Sequence, residues 1–281
     1  MTGIVRRFKT LGLTTWIWVA LSIVPLPSQV LANPITSAEE AVEAARQWLG
    51  QGDAVPTVEP TLDRHQPRAL RGAAWILCLR SPDGRDHLLV LDADTGRVLQ
   101  WALSHRQTDS NEPGEPIVSV DESRQIALDY AARLCPSFRS GGWEPALGGT
   151  PDRRWDSYEW GWYPVVDPLS GALGCNDLAV DVDTRTGEVT GFLRPYEGPW
   201  FVATRPSISR ARMLAIARRY ALLDPVRYPI NHVTLRVAMD DHLSQRLVWE
   251  CLQVLGVDPN GGIMMYGVVH DAHTGEPLYP I

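Results

Sequence analysis

The chain has 281 residues, of which 44% are hydrophobic and 21% are charged, a composition typical of a folded protein. These proportions exclude collagen-like, coiled-coil and disordered chains. The formal net charge of −7 disfavours binding to nucleic acid and to anionic lipid, so we expect no nucleic-acid partner.

The N-terminus has the pattern of a signal peptide. Three basic residues precede an apolar run at 11–24, which is shorter than the roughly 20 residues that a membrane span requires. Val30 and Ala32 place small side chains at the −3 and −1 positions of a cut after Ala32. We therefore expect a secreted or periplasmic protein whose mature chain does not span a membrane. An uncleaved N-terminal anchor is the alternative.

Lys9 is the only lysine in the chain. Cleavage after Ala32 would remove three basic and no acidic residues, which takes the formal charge from −7 to −10. A mature chain without lysine excludes Schiff-base chemistry, a phosphate-loop lysine and a Ser-Lys dyad.

Three helix starts recur along the chain. Ser37–Glu40 and Ser119–Glu122 match the capping box, in which the Ser hydroxyl and the Glu carboxylate each accept a free backbone N–H. Ser209 caps the third start, where Arg212 replaces the Glu. Apolar residues follow each cap at helical spacing, and the third stripe is expected to include Tyr220.

Each copy ends in a turn rich in Asp, Thr and Gly, at Leu91–Gly96, Asp181–Gly187 and Asp271–Gly275. Strand patterns lie between each helix and its turn. The clearest are Trp75–Leu79, His87–Leu91, Tyr158–Val166, Asp177–Val182, Val233–Met239, Leu247–Val254 and Ile263–Val269.

The predicted fold class is α+β, with three tandem small domains that each pack one helix on an antiparallel β-meander. The expected segments are a signal peptide at 1–32, repeats at 33–104, 117–193 and 207–281, and linkers at 105–116 and 194–206.

The helix pattern S-x-E-E-A-x-x-A-A, followed by a hairpin ending in V/L-D-A-x-T-G-x-V, resembles the PepSY superfamily. Three copies after a signal peptide are similar to the tandem YcdB/YcdC-type repeats of exported bacterial proteins. The resemblance covers essentially the whole mature chain and implies a PepSY/cystatin-like fold. It also implies a non-catalytic protein that binds or restrains an exported peptidase or another envelope protein. No H-E-x-x-H motif or protease domain accompanies the repeats.

The second repeat contains an aromatic strand. Tyr158, Trp160 and Trp162 alternate, so they share one face of that strand. Two interpretations stay open: the face packs under the helix, or it forms an exposed platform for peptide or cell-wall glycan. These three residues are the predicted binding residues.

Four cysteines allow three complete disulfide pairings, and an exported protein can form them. Cys135 and Cys175 lie in one repeat, near a helix end and a strand start, so we favour that bridge. Cys78 and Cys251 lie in apolar strand patterns and are expected to be buried thiols.

Catalytic and metal-binding motifs are weak. His270 and His273 have a ligand-like spacing, but repeat alignment places them at the positions of Leu91 and Asp94 in the first turn, so we expect no metal. The chain lacks G-x-S-x-G, C-x-x-C and a Gly-rich phosphate loop. We expect no cofactor and no enzymatic activity. Hydrolysis by a pair of carboxylates is the remaining enzymatic alternative.

Overall fold

The structure is a computed structural model that describes residues 34–64, 72–103, 116–139, 141–146, 152–154, 157–175, 177–196, 200–239, 244–257 and 263–280. The predicted signal peptide and its cut after Ala32 lie outside the described residues, as does nearly all of the predicted linker at 105–116. Within the described ranges, no helix is both long and apolar enough to cross a membrane.

The helices begin where the caps predict. They are α1 (Ala38–Leu49), α2 (Val120–Leu134), α3 (Pro136–Arg139) and α4 (Arg210–Ala217). Both predicted capping boxes are confirmed at α1 and α2. At α4 the Ser209 hydroxyl accepts from the Arg212 backbone N–H. Arg212 has no carboxylate to accept the backbone N–H of Ser209, so the capping box is incomplete.

The strands cover most of the remaining described chain. They are β1 (Val55–Pro56), β2 (Thr61–Asp63), β3 (Ala74–Arg80), β4 (Asp86–Asp92), β5 (Val98–Leu103), β6 (Trp143–Pro145), β7 (Asp152–Arg154), β8 (Ser157–Asp167), β9 (Ala172–Leu173), β10 (Leu178–Asp183), β11 (Val189–Leu193), β12 (His232–Met239), β13 (Gln245–Val257), β14 (Ile263–Asp271) and β15 (Pro277–Pro280).

One turn geometry occurs three times, as the sequence predicts. A carboxylate oxygen of Asp92, Asp183 or Asp271 accepts from the backbone N–H groups two and three residues further on. The Thr hydroxyl of each turn then accepts from the N–H two residues later. These bonds satisfy the backbone of a tight reversal and let the flanking strands pair.

The strands form a single mixed sheet in the order β1-β3-β4-β5-β11-β10-β8-β9-β12-β13-β14-β15, with β2 on β3 and with β6 and β7 on β8. The prediction of three tandem helix-on-meander domains is therefore wrong. The reason is strand-edge chemistry, because a separate meander would expose a row of unpaired N–H and C=O groups on each edge strand. Instead, β5 pairs with β11, and β9 pairs in parallel with β12.

Core packing also merges the first two predicted repeats. One core contains residues from α1, α2 and strands β3, β4, β5, β8, β10 and β11. Trp48 of α1 meets Trp101 of β5 with ring centroids 5.6 Å apart, and Tyr130 of α2 meets Phe192 of β11 at 6.0 Å. A second core joins α4 to β12, β13 and the buried Ala172 of β9.

The helix of the third predicted repeat, α4, is shorter than the sequence predicts. It ends at Ala217, and the bonds from Arg219 N–H to the Ile216 carbonyl and from Tyr220 N–H to the Ala217 carbonyl tighten the chain into a turn. Tyr220 is consequently 46% exposed rather than part of the core stripe.

Candidate functional site

The predicted aromatic residues lie on the helix side of the sheet. Tyr158, Trp160 and Trp162 are 7%, 3% and 5% exposed, respectively, and all three belong to the core beneath α2. Trp160 Nε1 donates a 3.1 Å hydrogen bond to the buried Ser123 hydroxyl of α2. The three rings therefore form no exposed platform, so we do not propose glycan binding through them.

The cysteines are all among the described residues, and the structure contains them as thiols without the predicted Cys135–Cys175 bridge. Cys135 is buried at the end of α2, and Cys175 lies just after β9. Burial raises the pKa of Cys251 to about 12, which makes its thiolate scarce at neutral pH.

His270 and His273 do not converge on a common site. The His273 backbone N–H donates to Asp271, as the Asp94 N–H does to Asp92 in the first turn. His270 is fully buried, and its Nδ1 lies 3.2 Å from the Gly275 carbonyl. In the described part of the chain, no three His, Cys, Asp or Glu side chains cluster closely enough to hold a metal ion.

Ser81 and His87 are hydrogen-bonded to each other at the turn before β4. The histidine donates to the serine, whereas nucleophilic catalysis requires the histidine to accept the serine proton. Trp101 Nε1, which can only donate, bonds His87 Nδ1 at 3.2 Å, so the neutral ring carries its proton on Nε2. Nε2 then donates to Ser81 Oγ at 3.2 Å, and Ser81 donates to Asp83. His87 cannot accept the Ser81 proton in this arrangement, in which Ser81 and His87 are buried and Asp83 is exposed.

The opposite side of the sheet carries a different set of side chains. Tyr163 follows Trp162 and therefore points away from the helices, and its strand neighbour Glu144 shares that side. Val165 and Leu173 also pair across β8 and β9, and Leu173 pairs with Arg236 of β12. Residues from four strands thus face one another where the second and third predicted repeats join.

Arg236 organises this junction. Its Nη1 donates to both carboxylate oxygens of Glu250 at 2.9 and 3.1 Å, and the two side chains are only 15% and 14% exposed. Its Nη2 donates to the Cys175 carbonyl at 2.8 Å. The guanidinium also lies 4.1 Å from the centroid of the Tyr163 ring and bonds its hydroxyl at 3.3 Å. A buried charge with this many partners fixes the geometry around it.

A cleft of about 710 Å³ opens beside Arg236. We call it the junction cleft. Residues from β6, β8, β9 and β12 and from the adjoining turns line it, and the ones used below are Glu144, Tyr163, Val165, Leu173, His232 and Thr234. Its volume is within the range of ligand sites, and it combines apolar walls with a few polar groups.

His232 and Thr234 provide one polar wall of the junction cleft, with His232 Nε2 2.7 Å from Thr234 Oγ1. Burial lowers the pKa of His232, so the ring is neutral at neutral pH. A nucleophile and base pair needs a third group that orients the base. No hydrogen bond to His232 Nδ1 is present among the described residues, so the pair is better suited to hydrogen bonding than to proton transfer.

The residues of this site were not predicted from the sequence, because the helix-facing residues of each strand carry the stronger apolar pattern. Tyr163 directly follows Trp162 in the sequence and therefore falls outside the alternation of Tyr158, Trp160 and Trp162. The sequence does indicate Arg236 and Glu250, because each is a charged residue between apolar strand neighbours. The two segments are Leu235-Arg236-Val237 and Trp249-Glu250-Cys251. Charged residues at such positions are rarely buried unless they are paired.

Known proteins give little further guidance. No family model and no curated protein matches the chain. A similar solved structure is the Bacillus megaterium YpeB C-terminal domain, with 13% sequence identity and a TM-score of 0.49 over 89% of this chain and 98% of that one. Similarity at this level does not establish a shared function.

Proposed function

We propose that this chain is an exported, non-catalytic protein that binds another exported or envelope protein, with an exported peptidase as the first expected partner. The junction cleft is the proposed contact site. Export is inferred from the N-terminal sequence pattern, and the peptidase partner from the resemblance to PepSY repeats.

The observation that supports a binding role is the construction of the junction cleft. A buried ion pair and a parallel strand contact hold its walls in place, so the cleft is formed before a partner arrives. Preformed sites avoid much of the ordering cost of association. Tyr163 and Thr234 offer hydroxyl groups beside the apolar Val165 and Leu173, a combination that suits a partner with both apolar and polar groups.

A non-catalytic role is supported by the two hydroxyl–imidazole pairs described above. His87 donates to Ser81 and so cannot act as its base. His232, beside Thr234, has no partner that orients its ring among the described residues. Screening peptidase, esterase and glycosidase substrates checks this role. Turnover that disappears in a Thr234→Val protein would contradict it.

The test of binding is affinity capture. The purified protein is immobilised and exposed to envelope and culture fractions of its source organism, and retained proteins are identified by mass spectrometry. We expect an exported protein to be retained by the parent chain and to be lost with Glu144→Arg, which reverses an exposed charge lining the junction cleft.

The matched control is Glu43→Arg, the same substitution at a 59%-exposed side chain of α1, which packs against β3 and β4 and contributes no residue to the junction cleft. Equal retention by the parent and the Glu43→Arg protein supports the proposal. Retention that survives Glu144→Arg, or that fails equally in both variants, would move the contact elsewhere. A parent chain that retains no exported protein would contradict the proposed function.

A further inference from the structure

We propose that the junction cleft binds an extended peptide, which adds as a strand to the exposed edge of β12. This inference rests on the proposed function, because it specifies how the same cleft recognises its partner. Three observations carry it: an incomplete strand pairing, an unused hydroxyl proton, and an unpaired charge.

The incomplete pairing is on the side of β12 that faces β9. Strand β13 pairs with β12 from His232 to Met239. On the other side, the two-residue strand β9 reaches β12 only at Arg236. The stretch from His232 to Leu235 has no strand neighbour there within the described residues. At about 3.3 Å per residue, this open edge is roughly 13 Å long, enough for a short extended segment.

The junction cleft lies along this open edge. His232 and Thr234 belong both to the open stretch of β12 and to the lining of the cleft. One main-chain acceptor of this stretch is already in use, since Arg210 Nε donates to the Val233 carbonyl at 3.3 Å, and an added strand would share or replace that bond. Main-chain groups on an exposed strand edge are the groups that pair with an added strand.

The unused proton belongs to Tyr163. Its hydroxyl oxygen accepts from Arg236, and no acceptor for its own proton is present among the described residues. Burial raises the pKa of Tyr163, so the hydroxyl keeps that proton at neutral pH. A peptide carbonyl is an acceptor of suitable chemistry. Alternate side chains of an added strand would then point toward Val165 and Leu173.

The unpaired charge belongs to Glu144. Its exposed carboxylate lines the junction cleft and makes no ion pair within the described part of the chain. The net charge of the whole chain, −7, adds to the attraction for cations. The inferred ligand is therefore an extended peptide that carries an Arg or Lys side chain at a position facing Glu144.

The test uses linear peptides. A random display library is selected against the immobilised protein, and the strongest binder is synthesised with each amide N-methylated in turn. Strand addition uses the N–H groups of alternate residues, so methylation should weaken binding about tenfold at alternate positions and little at the positions between. The selected peptides should be basic and should lose affinity with Glu144→Arg but not with Glu43→Arg.

Three results would overturn the inference: no linear peptide is selected, N-methylation has no alternating effect, or the selected peptides are acidic. Partner capture separates this inference from the proposed function. If an exported protein is still captured through Glu144 while the peptide test fails, recognition at the junction cleft holds and strand addition is wrong. If both tests fail, the proposed function fails with it.

Discussion

Arg236 donates a hydrogen bond from Nη2 to the main-chain carbonyl of Cys175, with the two atoms 2.8 Å apart. The bond lies beside the only parallel strand pair in the described sheet, where Arg236 meets Leu173. A side chain therefore reinforces a strand contact that is one residue pair long. The bond and the strand pair together connect β9 to β12 beside the junction cleft.

The first prediction concerns the hydrogen bonds of Arg236 to Glu250 and to the Cys175 carbonyl. We expect Arg236→Met to lower the free energy of unfolding by about 3 to 5 kcal/mol, because it leaves Glu250 buried without its partner. Urea denaturation followed by tryptophan fluorescence measures the change.

Two further variants separate the charge effect from lost packing. The double variant Arg236→Met/Glu250→Leu should recover much of the lost stability, because no buried charge is then left unpaired. Arg210→Met, which removes one exposed side-chain bond, should change stability by less than about 1 kcal/mol. An Arg236→Met protein as stable as the parent would show that the contacts of Arg236 do not stabilise the fold.

The second prediction concerns the aromatic strand. We expect Trp160→Ala to cost about 3 to 5 kcal/mol, because a 3%-exposed indole is removed from the core and Ser123 loses its donor. Thermal unfolding by circular dichroism measures the loss. Phe201→Ala, at an 80%-exposed ring, is the control and should change stability by less than about 0.5 kcal/mol. If Trp160→Ala left stability intact, the ring could not be packed as the structure describes.

The third prediction compares two glycines with positive φ angles. Gly275 has φ +80°, and a Cβ there would come within 2.9 Å of Ile208 and 3.0 Å of Ile216. Gly171 has φ +70° and open space around the same position. Alanine strains the backbone at both sites, but only Gly275→Ala also crowds the core. The crowded atoms are the terminal Cδ1 methyl groups of the two isoleucines, so we expect Gly275→Ala to be less stable than Gly171→Ala by about 1 kcal/mol in urea denaturation. Equal losses of stability in the two variants would mean that Gly275 is not packed closely against Ile208 and Ile216.

The fourth prediction concerns pH. Burial lowers the pKa of His87, and burial likewise lowers the pKa of His232 and His270. An unfolded imidazole titrates near pH 6.5, so the unfolded chain binds more protons than the folded chain just below that pH. The stability contributed by these residues is therefore full above about pH 6.5 and decreases as the pH falls through the lower folded pKa values.

Urea midpoints measured between about pH 7.5 and pH 5.5 test this expectation. His87→Gln keeps an acceptor for Trp101 and a donor for Ser81 but does not titrate, so it should lose less stability on acidification. His273→Gln, at an exposed turn position, controls for the substitution itself. An identical loss in the parent and the His87→Gln protein would exclude His87 as a cause.

Much of the local structure could be predicted from the sequence, because it depends on near neighbours. The boxes at Ser37 and Ser119 set two helix starts, and the Asp-Thr-Gly turns set three reversals. The predicted strand Val233–Met239 differs from the observed β12 by one residue. At the caps and turns a short stretch contains both hydrogen-bond partners, and the strand follows the local alternation of apolar residues.

Sheet continuity could not be predicted in the same way. The pair of Phe192 with Trp101 joins strands about ninety residues apart, and the pair of Leu173 with Arg236 depends on a strand of only two residues. The repeat pattern describes how each unit folds internally and says little about its edges. The junction cleft depends on those edge contacts, whereas the predicted binding residues lie on the opposite, helix-facing side of β8.

The most direct test of the proposed binding mode is backbone amide hydrogen exchange with and without the selected peptide. Strand addition predicts slower exchange within His232–Leu235 of β12, with little change in β15 at the far end of the sheet. The same slowing should be absent in Glu144→Arg and present in Glu43→Arg. Protection confined to β15 or to the helix side, with His232–Leu235 unchanged, would contradict the assignment of the junction cleft as the binding site.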